Sequence, residues 1–240
     1  MRKPKKPKET RTKSNVETVP RLSAQDIIKL LEPDYGPYVI DRRLDPTHEL
    51  VFTILSQHTS DANSERAFKR LMGDFGTLEA VADGDVQLIA RAINIGGLAQ
   101  VKAPRIKEIL NIIRRKLGDV DLNFLRDMPL DQAKAWLRDL PGIGPKSAAV
   151  ILCFSLGMPA LAVDTHVHRV AKRLGLIGPK VNADGAHDIM EAMVSPNEVY
   201  SFHMALISHG RRVCKALKPR CGDCLLAFAC PSNEMFVSLV

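Results

Sequence analysis

Four of the five cysteines lie within seventeen residues, as Cys214-x6-Cys221-x2-Cys224-x5-Cys230. That many thiols in one short stretch oblige it to wrap around a common ligand. A secreted disulfide framework is the poorer reading, because the N-terminus shows no apolar signal core and the stretch is so compact. Zinc commonly takes paired C-x2-C knuckles, and only Cys221 and Cys224 are so spaced. The uneven 6-2-5 spacing suits the separated corners of a [4Fe–4S] cubane better than one zinc ion. The fifth thiol, Cys153, sits inside the apolar run AAVILCFSL and reads as a buried structural cysteine.

A second constraint lies upstream, where Leu140-Pro141-Gly142-Ile143-Gly144-Pro145 separates two helical runs. Pro141 and the two glycines cannot continue a helix, so the chain turns there. The glycines can then expose backbone N–H groups, and the helix starting at Pro145 adds its own unsatisfied donors. Gly142, Ile143 and Gly144 thus form a candidate cradle for a nucleic-acid phosphate. A plain connection between packed helices has the same local sequence. Lys146 likewise reads as a solvated lysine at a helix start, and Asp164 as an N-cap for a helix opening at Thr165.

The remaining pattern is helical throughout. Ser23 and Asp26 form a capping box before IIKLLEP, closed at Pro33, and Asp45-Pro46 opens an apolar helix. Asp61 caps the next helix, which ends at Gly73. Gly96-Gly97 precedes a longer one over residues 98–117, and helices at 130–140 and 146–156 flank the hairpin. No period-2 strand and no solenoid repeat is evident, so the chain reads as all-α. The net charge of +7 is concentrated: residues 1–13 carry seven basic groups against Glu9, leaving a nearly neutral body. That segment reads as a disordered basic tail suited to a polyanion. Arg211, Arg212, Lys215, Lys218 and Arg220 surround the first two clustered cysteines, as phosphate contacts or as a merely solvated loop. No run is long enough for a membrane span, and a cytoplasmic, nucleoid-associated monomer is expected.

The hairpin with its lysine, the Val163-Asp164-Thr165-His166 segment and the four-cysteine loop occur together and in order. With these features the chain resembles the endonuclease III family of helix–hairpin–helix DNA glycosylases, over roughly residues 45–231. Leu55-Ser56-Gln57-His58-Thr59-Ser60-Asp61 is similar to the family's LSAQATD-like turn, and GGLAQVKA at 96–103 matches as well. The resemblance implies a two-lobed fold, with a six-helix barrel over residues 45–155 and an iron–sulfur domain over 156–240. Residues 20–44 would pack with the second lobe, and residues 1–19 would form the tail. Duplex DNA carrying damaged bases or abasic sites would bind across the cleft.

The resemblance also assigns roles. Lys146 stands where bifunctional members carry the nucleophile that forms a Schiff base at C1′, leading to β-elimination. The amine must lose its proton, which partial burial and the positive end of its helix favour. Asp164 stands at the essential carboxylate. Cys214, Cys221, Cys224 and Cys230 stand as ligands of a [4Fe–4S] cluster. Gln57 and Leu98 are candidate DNA contacts, and His58 occupies the place of a glutamine that wedges into the vacated space. The expected activity is removal of oxidised pyrimidines with lyase cleavage. A mismatch thymine or uracil glycosylase, a protein acting mainly as an abasic-site lyase, or a non-catalytic DNA-binding module would use the same features. A non-catalytic binder needs neither Lys146 nor Asp164.

Overall fold

A computed structural model describes residues 21–40 and 44–233, so the basic tail lies outside the described residues. Among these there are eleven α-helices, five short 3-10 turns and no strand. Local chemistry sets most helix starts. In α1 (Ala24–Tyr35), Ser23 Oγ accepts from Asp26 N at 3.1 Å, and Asp26 Oδ2 accepts from Ser23 N at 3.0 Å. In α2 (Pro46–Ser56), Asp45 accepts from Thr47 N and His48 N. Thr77 and Asp85 cap α4 (Leu78–Asp83) and α5 (Val86–Ala92) in the same way.

Three boundaries differ from expectation. α1 continues through Pro33 to Tyr35. Proline forfeits one backbone bond, and in the last turn that loss is outweighed by Tyr35, whose ring packs on His209 and whose OH meets His209 Nδ1 at 3.3 Å. α3 (Asp61–Phe75) passes through Gly73, tolerable at about 1 kcal/mol, and ends at Gly76, which supplies the positive φ of 78°. Ser60, not Asp61, is its N-cap, through its backbone alone. Asp61 instead turns its carboxylate to Arg211 at 3.3 Å.

Two apolar cores organise the chain. The first is enclosed by α2 to α5, α6 (Ala99–Leu117), α7 (Leu130–Arg138) and α8 (Pro145–Leu156), with Leu50, Ile54, Ile106 and Ile151 fully buried. The second joins α1 to α9 (Thr165–Arg173), α10 (Ala183–Glu191) and α11 (Val199–Arg212), around Ile27, Leu31, Val170 and Phe202. The N-terminal helix therefore packs with the C-terminal ones. α8 serves both cores, since Ile151 and Leu152 face the first and Cys153 the second. Burial pushes the Cys153 thiol up to about 12, in keeping with an inert structural thiol. Gly210 lets α11 approach α9 closely: a Cβ there would stand 3.0 Å from His166 Cβ. Among the described residues no helix is long and apolar enough to cross a membrane.

One buried carboxyl yields a prediction. Burial pushes Glu49 of α2 up to about 7 from 4.5, against a weak bond from Thr53. The folded chain therefore holds a proton that the unfolded chain releases, and stability falls as pH rises from 4.5 through 7. Glu49→Gln is expected to remove that slope and to raise stability at pH 8 by about 2 kcal/mol, with no gain at pH 4. Parallel pH profiles of urea midpoints for the two proteins would contradict it.

Candidate active site and nucleic-acid interface

The hairpin forms as α7, a turn and α8. Gly142 has φ 78°, a conformation costly for a side chain, and a Cβ there would press on the Arg105 guanidinium at 3.0 Å. Gly142 and Gly144 are exposed, and nothing lies within 4 Å of a Cβ built on Gly144. Ile143 departs from its expected place in the cradle. Its side chain is buried in the first core and its N–H closes the turn onto Leu140 O at 3.2 Å. The amides offered outward are those at the start of α8, where Lys146 and Ser147 have no intrahelical acceptor.

Lys146 is exposed in that first turn, not partly buried, so only a covering ligand can dehydrate it. Asp164 is the N-cap of α9 and half-buried, and its Oδ1 accepts from Val167 N at 2.7 Å. This satisfies one carboxylate oxygen and leaves Oδ2 for chemistry. The charges of both groups act on His203 of α11. Burial pushes the His203 imidazole down; Asp164 opposes that shift, and Lys146 and Arg211 reinforce it.

Three residues not singled out from the sequence fasten the extended segment that presents Asp164. Glu191 Oε2 accepts from Leu161 N at 2.8 Å, and the same carboxylate pairs with Lys134 of α7. His203 Nδ1 meets Ala162 O at 2.8 Å, so that nitrogen carries the hydrogen. His187 Nδ1 faces Ala183 O at 2.9 Å, which leaves its Nε2 to accept from Val163 N at 3.1 Å. The backbone leading to the carboxylate is therefore held from α10 and α11 together.

On the other side, the turn after α2 abuts the hairpin. Gln57 spends its amide internally, donating to Gly142 O at 3.2 Å and accepting from Arg105 at 3.3 Å. His58 and Leu98 are both exposed and both have positive φ, 54° and 53°. Leu98, at 54% exposure, is not part of either core. The basic residues divide. Arg211 pairs with Asp61, whereas Arg212 lies 5.1 Å over the Tyr35 ring and donates to Asp34 O, on the α1 side. Lys215 and Lys218 are exposed on the loop, and Arg220 is engaged by Asp223 at 2.7 Å.

The four clustered cysteines line one cavity together with His209 and Arg173, with ≈ 390 Å³ counted out to its open mouth. Burial pushes Cys224 up to about 11 and also raises Cys221 and Cys230, with the neighbouring thiols adding to each. Such sulfurs ionise together only around a cation. α9 braces the loop. Arg169 donates to Cys214 O at 2.9 Å and Gly210 O at 2.7 Å. Arg173 donates to Lys215 O at 2.6 Å, Ala216 O at 3.0 Å and Cys214 Sγ at 3.4 Å.

Comparison with known proteins is consistent across sequence and structure. A family described as HhH-GPD superfamily base excision DNA repair protein matches residues 51–196. Endonuclease III of Thermotoga maritima is 32% identical over 190 residues, covering 79% of this chain and 84% of that protein. Endonuclease III of Synechocystis is 36% identical over 191 residues, covering 79% and 82%. A solved non-covalent Endonuclease III–DNA complex superposes with a TM-score of 0.74 at 27% identity, covering 90% of this chain and 95% of that one.

Proposed function

The chain belongs to the HhH-GPD superfamily of base excision DNA repair proteins, and from that membership we infer that it removes oxidised pyrimidines from duplex DNA and then cuts the strand. It is a DNA glycosylase and abasic-site lyase of the endonuclease III kind. The observation that carries the finer reading is Lys146 exposed in the first turn after the hairpin and Asp164 held as a helix cap with one carboxylate oxygen to spare, with the exposed His58 and Leu98 loops on the hairpin side. A base must leave the stack before such a site can reach its sugar. In this reading Gly142, Gly144 and the first turn of α8 hold a backbone phosphate, and Lys215 and Lys218 hold others. Phosphate-bound DNA covers the exposed Lys146 and dehydrates it.

The Lys146 amine then bonds to C1′ as the C1′–base bond breaks and the base takes up a proton. Opening of the sugar gives a Schiff base, and β-elimination releases the 3′ side. Oδ2 of Asp164 balances positive charge growing on the sugar, and Oδ1 keeps the carboxylate aimed through the α9 cap. The protein acts as a monomer on nucleoid DNA in the cytoplasm. The test is single-turnover base release from duplexes carrying thymine glycol or a G·T mismatch, with strand cleavage at a plain abasic site measured beside them. Release from the first alone supports oxidised-pyrimidine specificity. Release from the mismatch alone would replace it.

Cys214, Cys221, Cys224 and Cys230 hold a [4Fe–4S] cluster in this reading. Support comes from the donor set, four half-buried cysteines lining one cavity, and from the uneven 6-2-5 spacing of those donors in the sequence. Bound there, the cluster supplies structural cross-linking of the loop; base removal needs no electron transfer. The purified protein is expected to be brown with iron and acid-labile sulfide. Cys224→Ser is expected to bleach it and destabilise the C-terminal loop by several kcal/mol. A colourless parent containing zinc would overturn the cluster.

A further inference from the structure

Lys102, on α6, is only 2% exposed and heads the fully buried side chains by size. Its Nζ donates to Leu55 O at 2.7 Å, Thr59 Oγ1 at 2.8 Å and Gly96 O at 3.0 Å. An ammonium has three hydrogens to give, and all three are placed. None of these acceptors is a carboxylate, and burial alone pulls its pKa down. A buried charge without a counter-ion is costly, and a position that served packing alone would carry leucine or methionine.

What the acceptors have in common is their location. Leu55 and Thr59 flank the turn that carries His58, and Gly96 belongs to the loop that carries Leu98. Thr59 Oγ1 also bonds Gly96 O, so the two loops are stitched directly as well as through the lysine. His58 and Leu98 both hold left-handed backbones that non-glycine residues keep only where surroundings over-determine them. Neither side chain packs into a core, and the pinned backbone beside each gives that strain its support.

We propose that Lys102 is a positioning residue that locks the His58 turn and the Leu98 loop into one rigid, two-pronged unit for entering the duplex as a nucleotide leaves it. The inference rests on the glycosylase reading above and adds the element that sets the geometry of base extrusion. Filling the vacated space with two mobile loops would cost ordering entropy at the moment of unstacking. Loops fixed beforehand avoid that cost.

The test uses Lys102→Met, similar in volume but without donors, and Thr59→Val, which removes the middle acceptor and keeps the lysine. Borohydride trapping on single-stranded abasic DNA needs no duplex opening and is expected to be unchanged in both. Single-turnover base release from a damaged duplex is expected to fall about 100-fold in Lys102→Met, and in the same direction but less in Thr59→Val. The fluorescence rise of 2-aminopurine placed opposite an abasic site, which reports unstacking, is expected to vanish in Lys102→Met. Unchanged duplex release, or an equal fall on single-stranded and duplex DNA, would overturn the positioning role. The fluorescence needs no bond chemistry, so a parent protein that unstacks DNA without trapping would overturn only the lysine nucleophile.

Discussion

Lys146→Ala will leave no borohydride-trapped complex on an abasic duplex and will lower strand cleavage by at least about 10³-fold. Its unfolding free energy should stay within about 0.5 kcal/mol of the parent. The contrast follows from where the side chain stands. Lys146 is exposed in the first turn of α8 and buries nothing, so its removal costs the fold little. The same exposure makes it the amine that DNA on the hairpin would cover. Binding to abasic DNA should survive, since the hairpin's outward amides belong to the backbone. A trapped complex that persists in the alanine variant would assign the Schiff base to a different amine.

Asp164 allows a sharper separation, because its observed cap and its proposed charge role are divided by two variants. Asparagine is as good an N-cap as aspartate, so Asp164→Asn keeps the bond to Val167 N and removes only the charge. Its activity is expected to drop by about 10² to 10⁴ with stability unchanged. Asp164→Ala loses the cap as well and should add a stability loss of about 1 kcal/mol. Should Asn retain full activity while Ala loses it in proportion to stability, the residue would be a cap and nothing more. Thermal melts beside single-turnover rates decide between the two.

Features governed by near neighbours were legible in the chain. Ser23 with Asp26, Asp45 with Pro46, and Leu140 to Pro145 each specify a helix end or a turn within a few residues. The four cysteines, close in sequence, line one cavity. The supports were not legible, because they are made at a distance. His203 reaches back 41 residues to Ala162, Glu191 30 residues to Leu161, and Lys102 47 residues to Leu55. A lysine in GGLAQVKA has the look of a surface residue, and only the fold reveals three acceptors waiting for it. Arg212, set in the same basic run as Lys215, is exposed and lies over the Tyr35 ring of α1, a contact its sequence neighbours do not announce. Gln57 sits in the right turn, yet its amide braces the hairpin from within.

α9 is nine residues long, about 13 Å from end to end. Asp164 caps its start, and Arg169 at its middle and Arg173 at its end, one turn apart, grip the cysteine loop. The helix therefore acts as a gauge block between the Asp164 carboxylate and the cysteine loop. Inserting or deleting a single residue would rotate one end against the other by about 100° and swing either the carboxylate or the two guanidiniums off target. Side chains along its outer face are free to drift over generations, but the number of residues between Asp164 and Arg173 is not. Relatives that keep both ends should keep that count, even where little else in the helix is shared.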